Sequence, residues 1–243
     1  MSITQQIQQK IRKMPSGFVF GYKDFLSIEG AGSEAIIKAL NRTVKQGDIE
    51  KISKGRFFKP ENSPFGPLQP KEEEIVKDLL YKDGKRVGYL TGLSIYNSLG
   101  FTTQVSNTLQ IGSTSVRPKF KRGRYTISYL RQKNDITNQN VELLQILDII
   151  RYIKKIPDSS PKKSVKQLIK LINQLNSDKI KRLIALALVY PPSTRALLGA
   201  ILDKGNQSND TGVLKTSLNP ITTYKVGQDL SSVLTSAKNW NLI

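Results

Sequence analysis

Residues 61–70 set Pro64, Gly66, Pro67 and Pro70 close together with almost no apolar periodicity. Proline removes an amide donor and clashes with a preceding helical turn, so neither a long helix nor a central strand runs through this stretch. It reads as a linker or semi-rigid spacer. It divides the chain into an N-terminal module, residues 1–60, and a larger module, residues 71–243. The chain's 243 residues exceed the usual domain size of roughly 100–200 residues, in keeping with that division.

In the first module, Ile3, Ile7 and Ile11 recur every fourth residue and predict a helix over residues 2–14, with Ser2 as cap and Pro15-Ser16-Gly17 as stop. Phe18-Val19-Phe20 predicts a short strand, and residues 22–27 a second helix. After the turn Glu29-Gly30-Ala31-Gly32, Ser33 reads as the N-cap of a third helix, residues 34–46, with Glu34 at its positive end and Gly47 beyond it. Ile36, Ile37, Leu40 and Val44 give that helix an apolar face, and Lys38, Asn41, Arg42 and Lys45 give it a basic one. Residues 48–52 and 56–59 flank Ser53-Lys54-Gly55 as a β-hairpin. This order is that of a winged helix-turn-helix, whose third helix enters the DNA major groove and whose hairpin reaches phosphates or the minor groove.

Beyond residue 70, the acidic run Glu72-Glu73-Glu74 opens a helix to about Tyr81, and residues 87–97 stay undecided between helix and strand. Residues 105–111, 113–120 and 124–130 alternate as strands, and residues 141–153, 164–175, 178–188 and 194–204 have helical periodicity. A polar loop, residues 205–212, precedes a tail with one or two strands and a short helix. The expected fold class is α+β: a winged helix-turn-helix followed by a larger mixed domain with a small sheet and several helices.

Charge narrows the function. Lys and Arg number 38 against 19 Asp and Glu, giving +19 and a pI near 10.0. Such a balance points to a polyanion partner, because cations that neutralise phosphates release condensed counterions. The chain has no Cys and no His, which excludes thiolate metal sites, removes the commonest general base, and argues against an enzyme. Neither paired carboxylates nor a nucleophile beside a base stands out. Glu72-Glu73-Glu74 is more simply a dipole-complementing first turn than a Mg²⁺ site, and Lys215-Thr216 lacks the spacing of a phosphate-binding loop. No cofactor or metal is expected. With no apolar run of ~18 residues and a polar, Gln-rich N-terminus, the expected location is the cytoplasm.

The candidate DNA contacts are therefore Lys38, Asn41, Arg42 and Lys45 on the third helix, with Lys51, Lys54 and Arg56 on the wing, which Lys59 follows. A second cluster, Arg117, Lys119, Lys121, Arg122, Arg124, Arg131 and Lys133, contains no acid. It is a candidate surface for DNA or for a protein partner, the two readings standing level. The basic run from Arg151 through Lys170 reads equally as a wet helix face.

Gly17-Phe18-Val19-Phe20, Asp24, the cationic third helix and Lys54-Gly55-Arg56-Phe57-Phe58-Lys59-Pro60 resemble the winged-helix domain of AbiEi antitoxins. The resemblance continues through Tyr89-Leu90-Thr91-Gly92, Tyr96–Gly100, Thr103-Gln104-Val105, residues 124–131, residues 190–200 and residues 218–224, in the manner of an uncharacterised branch. It implies an abortive-infection regulator: the antitoxin of a two-gene toxin–antitoxin system that represses its own promoter through inverted repeats in double-stranded DNA. It further implies a nucleotidyltransferase-like toxin as partner, neutralised by the second domain. The alternatives are a winged-helix regulator or interaction adaptor with no toxin partner, and, ranked below these, a nucleic-acid-processing enzyme.

Overall fold

A computed structural model describes residues 2–205, 211–227 and 230–243. The fold is α+β, and the chain forms two compact units. Met1–Asp78 with Lys121–Tyr125 make the first; Leu79–Phe120 with Thr126–Ile243 make the second.

The first unit begins with α1 (Ile3–Lys13), which Ser2 and Gln5 close in a reciprocal capping box. Its isoleucine stripe buries Ile7 and Ile11. Strand β1 (Val19–Gly21) leads into a 3₁₀ turn, Tyr22–Phe25, shorter than the predicted helix. Helix α2 (Ser33–Lys45) then buries Ile36, Ala39, Leu40 and Thr43. Its N-cap is Gly32, one residue before the expected Ser33, and no side chain caps it. Strands β2 (Glu50–Ser53) and β3 (Arg56–Phe58) pair antiparallel with an irregularity between Lys51 and Ser53, and β3 also pairs with β1, giving the order β1-β3-β2. Phe20, Phe25 and Phe57 close the core, with Phe20 edge-on to Phe25 at 5.7 Å between centroids. Each such fully buried apolar side chain contributes about 1.5–3 kcal/mol.

Residues 61–70 are not a spacer. Strands β4 (Glu61–Ser63) and β5 (Gly66–Leu68) form a tight hairpin, in which Ser63 Oγ donates to the Gly66 carbonyl at 2.7 Å and accepts from the Phe65 amide at 3.2 Å. Pro64 occupies the turn and Pro67 lies in a two-stranded ribbon with open edges, where a missing N–H is tolerated. The compact unit then continues into α3 (Glu72–Leu80) as far as Asp78, eight residues beyond the predicted end of the linker. Glu74 is structural: its carboxylate accepts from the Val19 amide at 3.3 Å and from Lys77 at 3.1 Å.

The second unit opens with the miniature hairpin β6 (Tyr81–Lys82) and β7 (Lys85–Arg86), whose turn residues Asp83 and Gly84 both have positive φ. Residues 87–97 resolve into β8 (Gly88–Thr91) and α4 (Leu93–Ser98). Strand β8 runs antiparallel to β9 (Thr108–Ser113), and β9 pairs in parallel with β11 (Tyr125–Arg131), to which the short β10 (Phe120–Arg122) leads. The predicted strand over 113–120 does not form: residues 114–119 are all exposed, leaving no apolar face to hold, and Pro118 lacks an amide donor.

Four helices build the main core: α5 (Val141–Tyr152), α6 (Pro161–Ile172), α7 (Ser177–Ala187) and α8 (Pro192–Lys204). Ser160 and Asn176 cap α6 and α7 by accepting from the Lys163 and Lys179 amides. Helix α5 is buried on nearly every side through Leu143, Leu144, Ile146, Leu147, Ile149 and Ile150, so it is the central helix. The tail supplies α9 (Gly212–Thr216), a single parallel bridge between Tyr224 and Leu242 instead of full strands, and a 3₁₀ turn at Ala237–Trp240. Of the expected polar loop, residues 206–210 lie outside the described residues. No helix among the described residues is long and apolar enough to cross a membrane.

Candidate functional site

Helix α2 separates its two faces cleanly. Ile36, Leu40 and Ala39 sit in the core of the first unit, while Lys38, Asn41, Arg42 and Lys45 are exposed on the opposite side. None of these four makes a side-chain hydrogen bond or ion pair among the described residues. Lys51 and Lys54 on the β2–β3 hairpin are likewise exposed and uncommitted. Gly55 supplies the positive φ that the hairpin turn needs, and its carbonyl lies 2.9 Å from where a Cβ on Gly21 would stand, so β1 and the turn approach closely.

Two arginines assigned to contact surfaces are paired within the first unit, Arg122 buried and Arg56 half-buried. Arg122 is 5% exposed and donates to Asp78 through both terminal nitrogens, at 2.6 and 3.1 Å, and to the Ile75 carbonyl at 2.7 Å. Arg56 shares the same carboxylate at 2.5 Å. Burial and the neighbouring Arg122 lower the Arg56 pKa, against the pull of Asp78. A desolvated guanidinium needs a carboxylate fork, and Asp78 supplies one to both. Arg122 is therefore not part of a free DNA or partner surface, and Arg56 reaches the surface already paired with Asp78. Lys59 is also occupied: it donates to the Arg12 and Met14 carbonyls at 3.0 and 3.1 Å, closing the C-terminus of α1.

The second predicted cluster is divided between the two units. Lys121 and Arg124 belong to the first unit and are exposed; Arg124 donates to the Tyr125 hydroxyl at 2.8 Å. Gly123 between them approaches β2, where a Cβ would stand 2.7 Å from the Ile52 carbonyl. Arg117 and Lys119 lie on the exposed irregular segment of the second unit. Arg131 and Lys133, at the end of β11, are exposed on either side of buried Gln132.

Gln132 belongs to a polar network in the second unit that sequence reasoning missed. Asp148, fully buried on α5, accepts from the hydroxyls of Tyr89 and Thr91 at 2.8 Å and of Tyr190 at 2.9 Å. Gln132 Nε2 donates to both tyrosine hydroxyls at 2.8 Å, and its Oε1 accepts from the Lys133 and Asn134 amides at 2.9 Å. Burial pushes Asp148 up to about 6, although its three hydroxyl donors favour the ionised form. Burial and Asp148 together raise both tyrosines above their ordinary value. Gly112, opposite Tyr89 across the β8–β9 pair, leaves the space for that ring: a Cβ there would lie 2.3 Å from it. Asp148 sits between Leu147 and Ile149 on the all-buried side of α5, whereas the other acid of that helix, Glu142, is in its first turn and pairs with Lys179; an acid within the apolar run was the available signal.

A family model described as a family of unknown function, DUF6088, matches residues 6–183. The chain belongs to that family. The matched region of this DUF6088 protein includes the exposed face of α2, Gln132 and Asp148, and ends before Tyr190. No curated protein matches the chain. Among solved structures, it is similar to the crystal structure of RV2827C protein from Mycobacterium tuberculosis, at 13% identity and a TM-score of 0.53. That likeness covers 89% of this chain and 81% of the other, and it concerns the fold alone.

Proposed function

We propose that this DUF6088 protein is a cytoplasmic, non-enzymatic DNA-binding regulator whose first unit works as a winged helix. The observation that carries the reading is the uncommitted face of α2: Lys38, Asn41, Arg42 and Lys45 side by side above a packed core. The element order and the strand order β1-β3-β2, with Lys51 and Lys54 exposed on the hairpin, support it. In this reading Asn41 reads an adenine edge, Arg42 a guanine or a phosphate, and the lysines hold the backbone. The gene's own upstream region is the natural operator, and the resemblance to AbiEi antitoxins extends the role to counteracting a nucleotidyltransferase-like toxin encoded alongside.

Fluorescence anisotropy on that upstream duplex tests the DNA reading. Asn41→Ala should reduce discrimination against a mismatched site by about 1–3 kcal/mol. Lys38→Ala and Lys45→Ala should weaken binding to all sequences alike and each flatten the salt dependence by about one unit of slope. Binding that ignores sequence, or that survives the Lys38, Arg42 and Lys45 triple alanine variant, overturns the assignment of α2. For the antitoxin role, the full chain is co-expressed with the neighbouring gene. Loss of growth inhibition, retained by the triple variant, supports neutralisation separate from repression; undiminished toxicity removes that part of the proposal.

A further inference from the structure

The end of β11, helix α5 and the turn between α7 and α8 enclose a cleft of about 340 Å³ in the second unit. Arg131, Lys133 and Arg151 line it, and no carboxylate does so among the described residues. None of the three makes an ion pair among the described residues; the Arg151 guanidinium lies over the Tyr152 ring at 5.2 Å. Val189 and Pro191 supply an apolar wall, and Gln132 and Tyr190 the floor.

The cations are neighbours, along the chain, of residues in the buried network. In sequence Arg131 and Lys133 flank Gln132, whose side-chain amide donates to the Tyr89 and Tyr190 hydroxyls. Arg151 follows Asp148 by one helical turn on the same face of α5. Val189 and Pro191 flank Tyr190, whose hydroxyl binds Asp148 and Gln132. Each wall of the cleft thus carries a residue next to, or one helical turn from, a member of one hydrogen-bonded network. The floor's polar atoms are already bound to one another, so recognition is left to the cations and the apolar wall.

We propose that this cleft binds a nucleotide, with its phosphates on Arg131, Lys133 and Arg151 and its base against Val189 and Pro191. Guanidinium groups pair with phosphate oxygens in forked geometry, and the cleft volume lies within the roughly 300–1,000 Å³ range of small-ligand sites. The proposal is independent of the DNA reading, because all its residues lie in the second unit.

Calorimetric titration of the full chain with ATP, adenosine and inorganic phosphate tests it. ATP should bind, and adenosine or phosphate alone should bind about tenfold or more weakly. Arg131→Ala, Lys133→Ala and Arg151→Ala should each weaken ATP by about tenfold without lowering Tm, since all three side chains are exposed. The double variant Lys163→Ala/Lys166→Ala removes comparable charge from the exposed face of α6 and should leave ATP affinity unchanged. The site is wrong if ATP fails to bind at millimolar concentration, if inorganic phosphate binds as tightly, or if affinity follows Lys38, Arg42 or the α6 lysines instead.

Discussion

Asp78 accepts from two guanidiniums at once, and only one of them is deeply buried: the Arg122 side chain is 6% exposed and that of Arg56 30%. Removing one partner of a buried pair leaves an uncompensated charge, so Asp78→Ala should destabilise by about 3–5 kcal/mol in urea unfolding. Arg56→Ala, at the more exposed end, should cost far less. The double variant Asp78→Leu/Arg122→Met replaces the pair with apolar volume and should recover most of the Asp78→Ala loss; a double variant as unstable as the single one would show that geometry, and not unpaired charge, dominates. Asp148 poses the opposite case, an acid buried with no ion-pair partner among the described residues, the nearby Arg151 only partly offsetting its desolvation. Its folded pKa of about 6 lies above the ordinary 3.8, so the folded state binds more protons between those values. Its contribution is fully present below about pH 4 and lost as pH rises through about 6, a change of roughly 3 kcal/mol. Comparing wild type with Asp148→Asn across that window checks the sign: the stability of wild type relative to the variant should fall with rising pH, and a flat difference would place the titration elsewhere.

Elements were legible where one residue pattern decided the outcome. The four-residue spacing of Ile3, Ile7 and Ile11 was enough for α1, and the opposed apolar and basic stripes were enough for α2, because a helix that buries one stripe exposes the other. The hairpin at residues 61–68 was hidden because proline argues against strands only where an amide must donate, and an isolated ribbon has free edges. The exposed sites on α2 were readable from local spacing. The internal roles of Arg56 and Arg122 were not, since both depend on Asp78, which is distant in sequence. The cleft was illegible for the same reason: Arg131, Arg151 and Tyr190 meet only in the folded unit. Helix α8 depends on such a meeting too. Gly199 lies beneath the Trp240 ring, where an added Cβ would stand 2.2 Å from ring carbon, while the indole N–H donates to Asp203 at 2.6 Å. Gly199→Ala raises intrinsic helix propensity yet must displace that ring, so the net effect should be a loss of about 1–3 kcal/mol. A rise in Tm would mean that Trp240 moves aside freely.

Across the whole molecule the charge of +19 is shared between the two units, and the salt dependence of the proposed DNA binding tests which share takes part. On the first unit, Lys38, Arg42 and Lys45 of α2 and Lys51 and Lys54 of the hairpin are exposed cations, joined by Lys121 and Arg124. If each of these met one phosphate, the slope of log affinity against log salt would be about −6. Arg56, Arg122 and Lys59 are excluded from that sum by their internal partners. A slope near that value, insensitive to Arg117→Ala and Lys119→Ala, would confine DNA binding to the first unit and leave the basic surfaces of the second for other ligands. A much steeper slope that relaxes when Arg117 and Lys119 are replaced would bring the second unit onto the duplex. Nucleotide titration in parallel separates the two uses of charge. ATP at saturation should leave the DNA slope unchanged if the cleft cations are not among those facing phosphates, and should reduce it if Arg131, Lys133 and Arg151 are shared between the two ligands.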